Sequence, residues 1–210
     1  MRSPAIHGLY AVTPDEADTE ALLAQVSAAL TGGARVVQYR NKTAAPALRL
    51  EQARAVKALC EMHRASLIIN DHLDLAKAID AAGVHLGAED GATEAARDAL
   101  GAGKLIGVSC YNRLELARAA QKSGADYVAF GSFFPSRIKP GAVHAPLELL
   151  ANARPELHVP IVAIGGITLD KARALVEAGA DALAVISAVF GAPDVAAAAR
   201  GFTALFEARS

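Results

Sequence analysis

Gln38, Arg40 and Lys42 stand at alternate positions of the segment Gln38-Tyr39-Arg40-Asn41-Lys42. In extended chain, alternate side chains leave on the same side. Two cations and an amide on one side suit a diphosphate, because a guanidinium forks onto two oxygens and an ammonium adds a compact charge. A solvated loop is the competing reading of this segment taken alone. Asp71 and Asp90 lie one βα unit apart. Neighbouring strands are about 4.8 Å apart, so carboxylates at adjacent strand exits can reach one cation. Mg2+ is commonly held by one or two carboxylates plus substrate phosphate oxygens. Asp71 alone could equally cap a helix beginning near Leu73. Further along, Ile164-Gly165-Gly166-Ile167 and Ile186-Ser187 follow two apolar runs. Such loops offer backbone N–H groups to a phosphate, and glycine lets an anion approach closely. Two anion sites at one mouth suggest two phosphorylated substrates. The long loop from Phe133 to Gly141 carries Ser136, Arg137, Ile138 and Lys139, and is read as a lid closing over the ligand.

These residues need a scaffold that gathers strand ends. Continuously apolar runs predict strands at Gly8–Val12, Arg35–Tyr39, Leu67–Asn70, Gly83–Leu86, Leu105–Ser109, Tyr127–Phe130, Ile161–Ile164 and Ala182–Ile186. Such runs suit parallel strands covered on both faces. Ala-rich segments of helical period lie between them, for instance Asp15–Leu30, Pro46–His63 and Leu169–Ala178. Thr13-Pro14-Asp15-Glu16 reads as the start of the first helix, with an N-cap, a proline at N1 and an acid at N3. Gly32-Gly33-Ala34, Ala82-Gly83-Val84, Gly124-Ala125-Asp126 and Gly179-Ala180-Asp181 each read as a helix end just before a strand. Eight such units predict one α/β domain over residues 1–210, a (β/α)8 TIM barrel with its chemistry at the C-terminal strand ends. A doubly wound open sheet is the rival.

Composition narrows the function. Lys plus Arg number 21 and Asp plus Glu 22, for a formal net charge of −1. Without net positive charge there is no general attraction for nucleic acid or an anionic membrane, so small molecules are the expected partners. Neither a secretory signal nor an apolar run of membrane-spanning length is evident, and a cytoplasmic location is expected. Cys60 and Cys110 lack zinc-ligand spacing and are expected to be buried free thiols. His85, between Val84 and Leu86, is expected to be a hydrogen-bonded barrel residue rather than a base, and His63, His144 and His158 to be on the surface. No nucleophile–base pairing stands out. A homodimer is left open, with no identifiable interface.

The ordered set Leu9-Tyr10-Ala11-Val12-Thr13, Gln38-x-Arg40-x-Lys42, Asn70-Asp71, Gly83-Val84-His85-Leu86-Gly87-x-Glu89-Asp90, Gly107-Val108-Ser109, Gly131 to Lys139, Ala163-Ile164-Gly165-Gly166-Ile167 and Ser187 resembles the thiamine-phosphate synthase family across essentially the whole chain. The resemblance implies condensation of hydroxymethylpyrimidine diphosphate with a thiazole phosphate carboxylate, giving thiamine phosphate and pyrophosphate by a dissociative route. It implies that Gln38, Arg40 and Lys42 hold the diphosphate together with Lys139, and that Arg40, Lys42 and Lys139 are the catalytic cations. Tyr39 and Asn41 are carried with that segment as substrate-binding residues. Asp71 and Asp90 would bind Mg2+, and Asn70 and Ser109 would meet the pyrimidine. Ser136, Arg137, Ile138, Gly166, Ile186 and Ser187 would take the thiazole phosphate. The sequence departs from the family pattern in having Ile138 where Thr is common, Ser136 for Thr, Ala88 for Gln, His72 for Arg and Tyr111 for His. Three alternatives remain: a thiazole tautomerase-like isomerase, a non-catalytic phosphometabolite-binding barrel, and a Schiff-base aldolase using Lys42 or Lys139.

Overall fold

The computed structural model describes residues 6–87, 92–135, 141 and 143–207. In chain order the elements are β1 (Gly8–Val12), α1 (Thr19–Thr31), β2 (Val36–Tyr39), α2 (Pro46–Met62), β3 (Ser66–Asn70), α3 (Leu73–Ala78), β4 (Gly83–Leu86) and α4 (Ala92–Leu100). There follow β5 (Leu105–Tyr111), α5 (Leu114–Lys122), β6 (Tyr127–Phe130), α6 (Glu148–Ala153), β7 (Ile161–Ile164), α7 (Leu169–Glu177), β8 (Ala182–Val185), α8 (Ser187–Phe190) and α9 (Val195–Glu207). The strands pair in sequence order, all parallel, and β8 returns to β1. Closure excludes the open-sheet rival and gives the expected (β/α)8 barrel.

Period-two alternation within each strand divides the apolar residues into two layers. One parity, with Tyr10, Val12, Val36, Ile68, Tyr127, Ala129, Val162, Ala182 and Ala184, fills the barrel interior. The other, with Leu9, Val37, Ile69, Val84, Ile106, Val128 and Leu183, packs outward against Leu22, Val26, Val56, Leu150, Leu175 and Phe202 of the helices. Toward the C-terminal strand ends the interior parity turns polar, through Gln38, Asn70, His85 and Ser109. The register places Asn70 beside His85 and His85 beside Gly107. Alternation thus delivers these side chains to one mouth.

The Gly-Ala-Asp triplets have a second purpose besides ending helices. Asp126 Oδ2 accepts the Ile106 N–H at 2.8 Å and is held by Arg97 at 2.5 Å. Asp181 Oδ2 accepts the Ile161 N–H at 2.7 Å and is held by Arg154 at 2.6 Å. Each aspartate therefore pins the start of the neighbouring strand, and an arginine from the helix layer holds the aspartate.

Two local expectations need correction. The first helix begins at Thr19 rather than Asp15, and its cap is Asp18, which accepts N–H bonds from Glu20 at 2.8 Å and Ala21 at 3.2 Å. Thr13 and Asp15 are drawn away by Arg40 and Lys42, as described below. Gly83 does not end a helix: Asp80 adopts the left-handed conformation there (φ 51°), and Gly83 lies within β4, where a Cβ would stand 2.1 Å from Leu105 O. Cys60 and Cys110 are free and buried as expected, and no described helix is long and apolar enough to cross a membrane.

Candidate active site

The loops after β1 and β2 are locked together. Thr13 Oγ1 donates to Arg40 O at 2.9 Å and accepts the Arg40 N–H at 2.8 Å. Asp15 takes the Arg40 guanidinium at 3.1 and 3.2 Å and the Lys42 N–H at 2.7 Å. Ordering an arginine beforehand lowers the entropy lost when it grips an anion, although Asp15 also offsets part of its charge. The Lys42 side chain is exposed. Tyr39 and Asn41 are not brought to the mouth. The Tyr39 hydroxyl donates to Gln52 Oε1 at 2.9 Å, and Asn41 Nδ2 donates to Glu16 O at 2.6 Å and Gln52 Oε1 at 3.0 Å. Their strand parity sends both toward the helices, where they tie the loop to α2.

A buried line of polar groups crosses the interior. Gln38 Nε2 donates to Tyr10 OH at 2.8 Å, and Tyr10 OH lies 2.8 Å from Tyr127 OH. Tyr127 OH is 3.1 Å from His85 Nδ1, and His85 Nε2 is 2.8 Å from Ser109 Oγ. Burial pushes the His85 imidazole down to about 4, against the opposing pull of the Asp71 carboxylate, so it is neutral at physiological pH. Burial likewise raises the pKa of both tyrosines. Gly107 leaves the space for this line, since a Cβ there would stand 1.9 Å from Tyr127 Cζ.

Asp71 lies just beyond β3 with φ 61°, a conformation that aspartate tolerates better than most side chains. Its N–H donates to His85 O at 2.9 Å, and its Oδ2 accepts Asn70 Nδ2 at 2.7 Å. It does not cap α3, whose N-cap is His72, without a side-chain capping bond. An open hollow of about 480 Å3 beside it is lined by Pro46, Arg49, Asp71, His72, Leu73, Asp74 and Leu75. Burial and the Arg49 cation hold His72 below the usual histidine pKa.

On the β6–β8 side, Gly166 has φ 60°, and a Cβ there would stand 2.3 Å from Pro135 O. Phe133 and Phe134 donate their N–H groups to Ile164 O and Gly165 O at 3.1 and 3.0 Å. The glycine pair therefore also serves the close approach of the β6 loop. Ile186 precedes the short helix α8, which opens at Ser187. Asp90, Ser136, Arg137, Ile138 and Lys139 lie outside the described residues. Among the described residues, no three carboxylate, imidazole or thiol groups cluster to hold a metal.

Sequence reasoning gave no site role to Asp15, Tyr10, Tyr127 or Gly107, although Tyr10 and Gly107 stand in the motifs that carry the resemblance. Asp15 carried the signal of a helical first turn instead. The signal that could have placed the tyrosines in the site is their interior parity, but the Tyr10–Tyr127 contact spans 117 residues of chain.

A closed parallel barrel with cations, amides, an imidazole and a hydroxyl gathered at its C-terminal strand ends is a (β/α)8-barrel enzyme. The family profile described as thiamine monophosphate synthase matches residues 9–189. A thiamine-phosphate synthase of Aromatoleum aromaticum is 54% identical over 208 residues, covering 99% of this chain and 100% of that one. One from Azoarcus sp. is 56% identical, covering 96% and 98%. The solved structure of thiamine phosphate pyrophosphorylase from Pyrococcus furiosus superposes with a TM-score of 0.86 at 36% identity, covering 98% of this chain and 97% of that one. The chain belongs to the thiamine-phosphate synthase family, and is a transferase of thiamine biosynthesis.

Proposed function

We propose that the mouth condenses hydroxymethylpyrimidine diphosphate with a thiazole phosphate carboxylate, forming thiamine phosphate and releasing pyrophosphate and carbon dioxide. The observation that carries this reading is the pinning of Arg40 by Asp15, beside the interior line that brings Gln38 and Ser109 to the same mouth. In this reading Gln38, Arg40 and Lys42 bind the diphosphate, with Lys139 joining from the loop after β6. Asn70 and Ser109 orient the pyrimidine. Gly166, Ile186 and Ser187, with Ser136 to Ile138, receive the thiazole phosphate.

The donor chemistry fits Mg2+. A carboxylate at a strand exit, with substrate phosphate oxygens completing the shell, is a set magnesium accepts, and Asp71 supplies such a carboxylate at the end of β3. Asp71 and Asp90 would hold the ion, which when bound supplies positive charge against the diphosphate. The reaction is read as dissociative: the C–O bond to the diphosphate breaks first, leaving a cation on the exocyclic methylene that the aminopyrimidine ring stabilises. The thiazole nitrogen then forms the new C–N bond, and the ring carboxylate leaves as carbon dioxide, the carbon that held it taking up a proton. Negative charge grows on the departing pyrophosphate, where Arg40, Lys42 and Lys139 are the cations to meet it. No protein nucleophile is required. The tautomerase-like alternative needs a general acid or base, and His85 suits that role poorly, being buried, hydrogen-bonded at both nitrogens and shifted to about 4.

Incubating the protein with both substrates, with and without Mg2+, tests the reading. Metal-dependent release of thiamine phosphate and pyrophosphate in equal amounts is expected. Equal turnover in EDTA would remove the metal assignment, and absence of product would remove the condensation.

A further inference from the structure

We infer that the interior line Gln38–Tyr10–Tyr127–His85–Ser109 is a one-way hydrogen-bond relay that fixes His85 as the Nε2–H tautomer and leaves the Ser109 hydroxyl proton free to donate to substrate. Tyr10, Tyr127 and His85 are then positioning residues, acting through Ser109. The link to substrate rests on the placement of Ser109 at the pyrimidine proposed above; the relay itself does not.

Each group in the line has a fixed number of protons to give. Gln38 Nε2 can only donate, so Tyr10 OH accepts from it at 2.8 Å. Tyr10 must then send its own proton to Tyr127 OH, 2.8 Å away. Tyr127, having accepted, donates to His85 Nδ1 at 3.1 Å. A neutral imidazole that accepts at Nδ1 carries its proton on Nε2, and that proton goes to Ser109 Oγ at 2.8 Å. Ser109 has accepted within the line, so its proton points out of it. Ser109 is partly exposed, the first member of the line to reach the mouth from the β5 side.

The opposite direction, with Gln38 still donating, would give Tyr10 two incoming protons and no acceptor for its own. A buried donor left unpaired has lost its water without gaining an acceptor, so this direction is disfavoured. Only turning the Gln38 amide would reverse every bond, and it would move the imidazole proton to Nδ1. The direction of the relay is therefore written in the tautomer of one histidine. It also sets a preference: the unspent hydroxyl proton of Ser109 favours a substrate acceptor, such as a ring nitrogen lone pair, at that point.

Nitrogen-15 NMR of histidine-labelled, ligand-free protein at neutral pH reads the tautomer directly. A protonated Nε2 and bare Nδ1 on His85 are expected; a protonated Nδ1, or an imidazolium, would overturn the relay. This measurement needs no substrate, so it is independent of the synthase reading, which absence of thiamine phosphate would remove separately. Tyr127→Phe, which keeps the ring, should release the tautomer preference and lower kcat/KM for the pyrimidine substrate about tenfold, chiefly through KM. In a Ser109→Ala background the same change should cost little. An equal loss in both backgrounds would show a purely structural role and refute the coupling, and should Tyr127→Phe fail to fold, Tyr10→Phe cuts the line one step earlier with the same readouts.

Discussion

Asp15 joins two loops through one carboxylate, and its worth lies in orienting Arg40. The pair is partly exposed, at 16% for Arg40 and 34% for Asp15, so the contact is worth only about 1 kcal/mol after solvent screening. Asp15→Ala is therefore expected to raise KM for the diphosphate substrate about fivefold with little change in kcat. Steady-state kinetics with the second substrate saturating measures this, and an unchanged KM would mean that Arg40 orders itself. The two thiols are governed by burial in the same direct way. Burial pushes Cys60 and Cys110 up to about 12, so at pH 8 only about one thiol in ten thousand is thiolate. Iodoacetamide at pH 8 should leave both unmodified in the folded protein and alkylate both in urea, as mass spectrometry would record. Fast labelling of the native protein would contradict the burial.

Most elements were legible because their signals are local. The runs Gly8–Val12, Tyr127–Phe130 and Ile161–Ile164 fall where continuous apolar sequence puts them, since a parallel strand covered on both faces has no polar side to interrupt it. The start of α1 was not legible. Thr13, Pro14 and Asp15 satisfy the grammar of a helix start, but Arg40 and Lys42 compete for the same oxygens from the next βα unit, and no window on the sequence contains both. The candidate site divides similarly. Gln38, Arg40 and Lys42 announce themselves by alternation, whereas Tyr10 and Tyr127 gain meaning only when closure brings β1 and β6 across the interior. The Gly-Ala-Asp triplets were legible as punctuation but not as clamps. Replacing Asp181 by Ala strips the Ile161 N–H and Arg154 of their shared acceptor. The expected loss is about 1–3 kcal/mol, with Asp126→Ala similar, measurable as a lower urea midpoint at unchanged slope. A loss below about 0.5 kcal/mol would mean that water replaces the carboxylate without cost.

At the scale of the molecule, the first and last helices meet where the barrel closes. Gly32, just after α1, lies against α9: Thr203 Oγ1 donates to Gly32 O at 3.1 Å, and a Cβ on Gly32 would stand 2.5 Å from Ala199 Cβ and 2.6 Å from Ala196 O. Because backbone cannot yield as a side-chain tip can, Gly32→Ala is expected to cost about 1–3 kcal/mol by overpacking. Thermal or urea unfolding checks this, and a neutral substitution would mean that α9 shifts freely over the seam. The seam also governs the order of events during synthesis. β1 is the first of the eight strands to leave the ribosome, but one of its two partners, β8 at Ala182–Val185, is the last of them. Until then the nascent chain presents an apolar strand with one edge unpaired, a template for pairing with another chain. A chain interrupted before β8 keeps that edge open for good. For this ring, translation through β8 is a condition of avoiding that pairing as well as of activity.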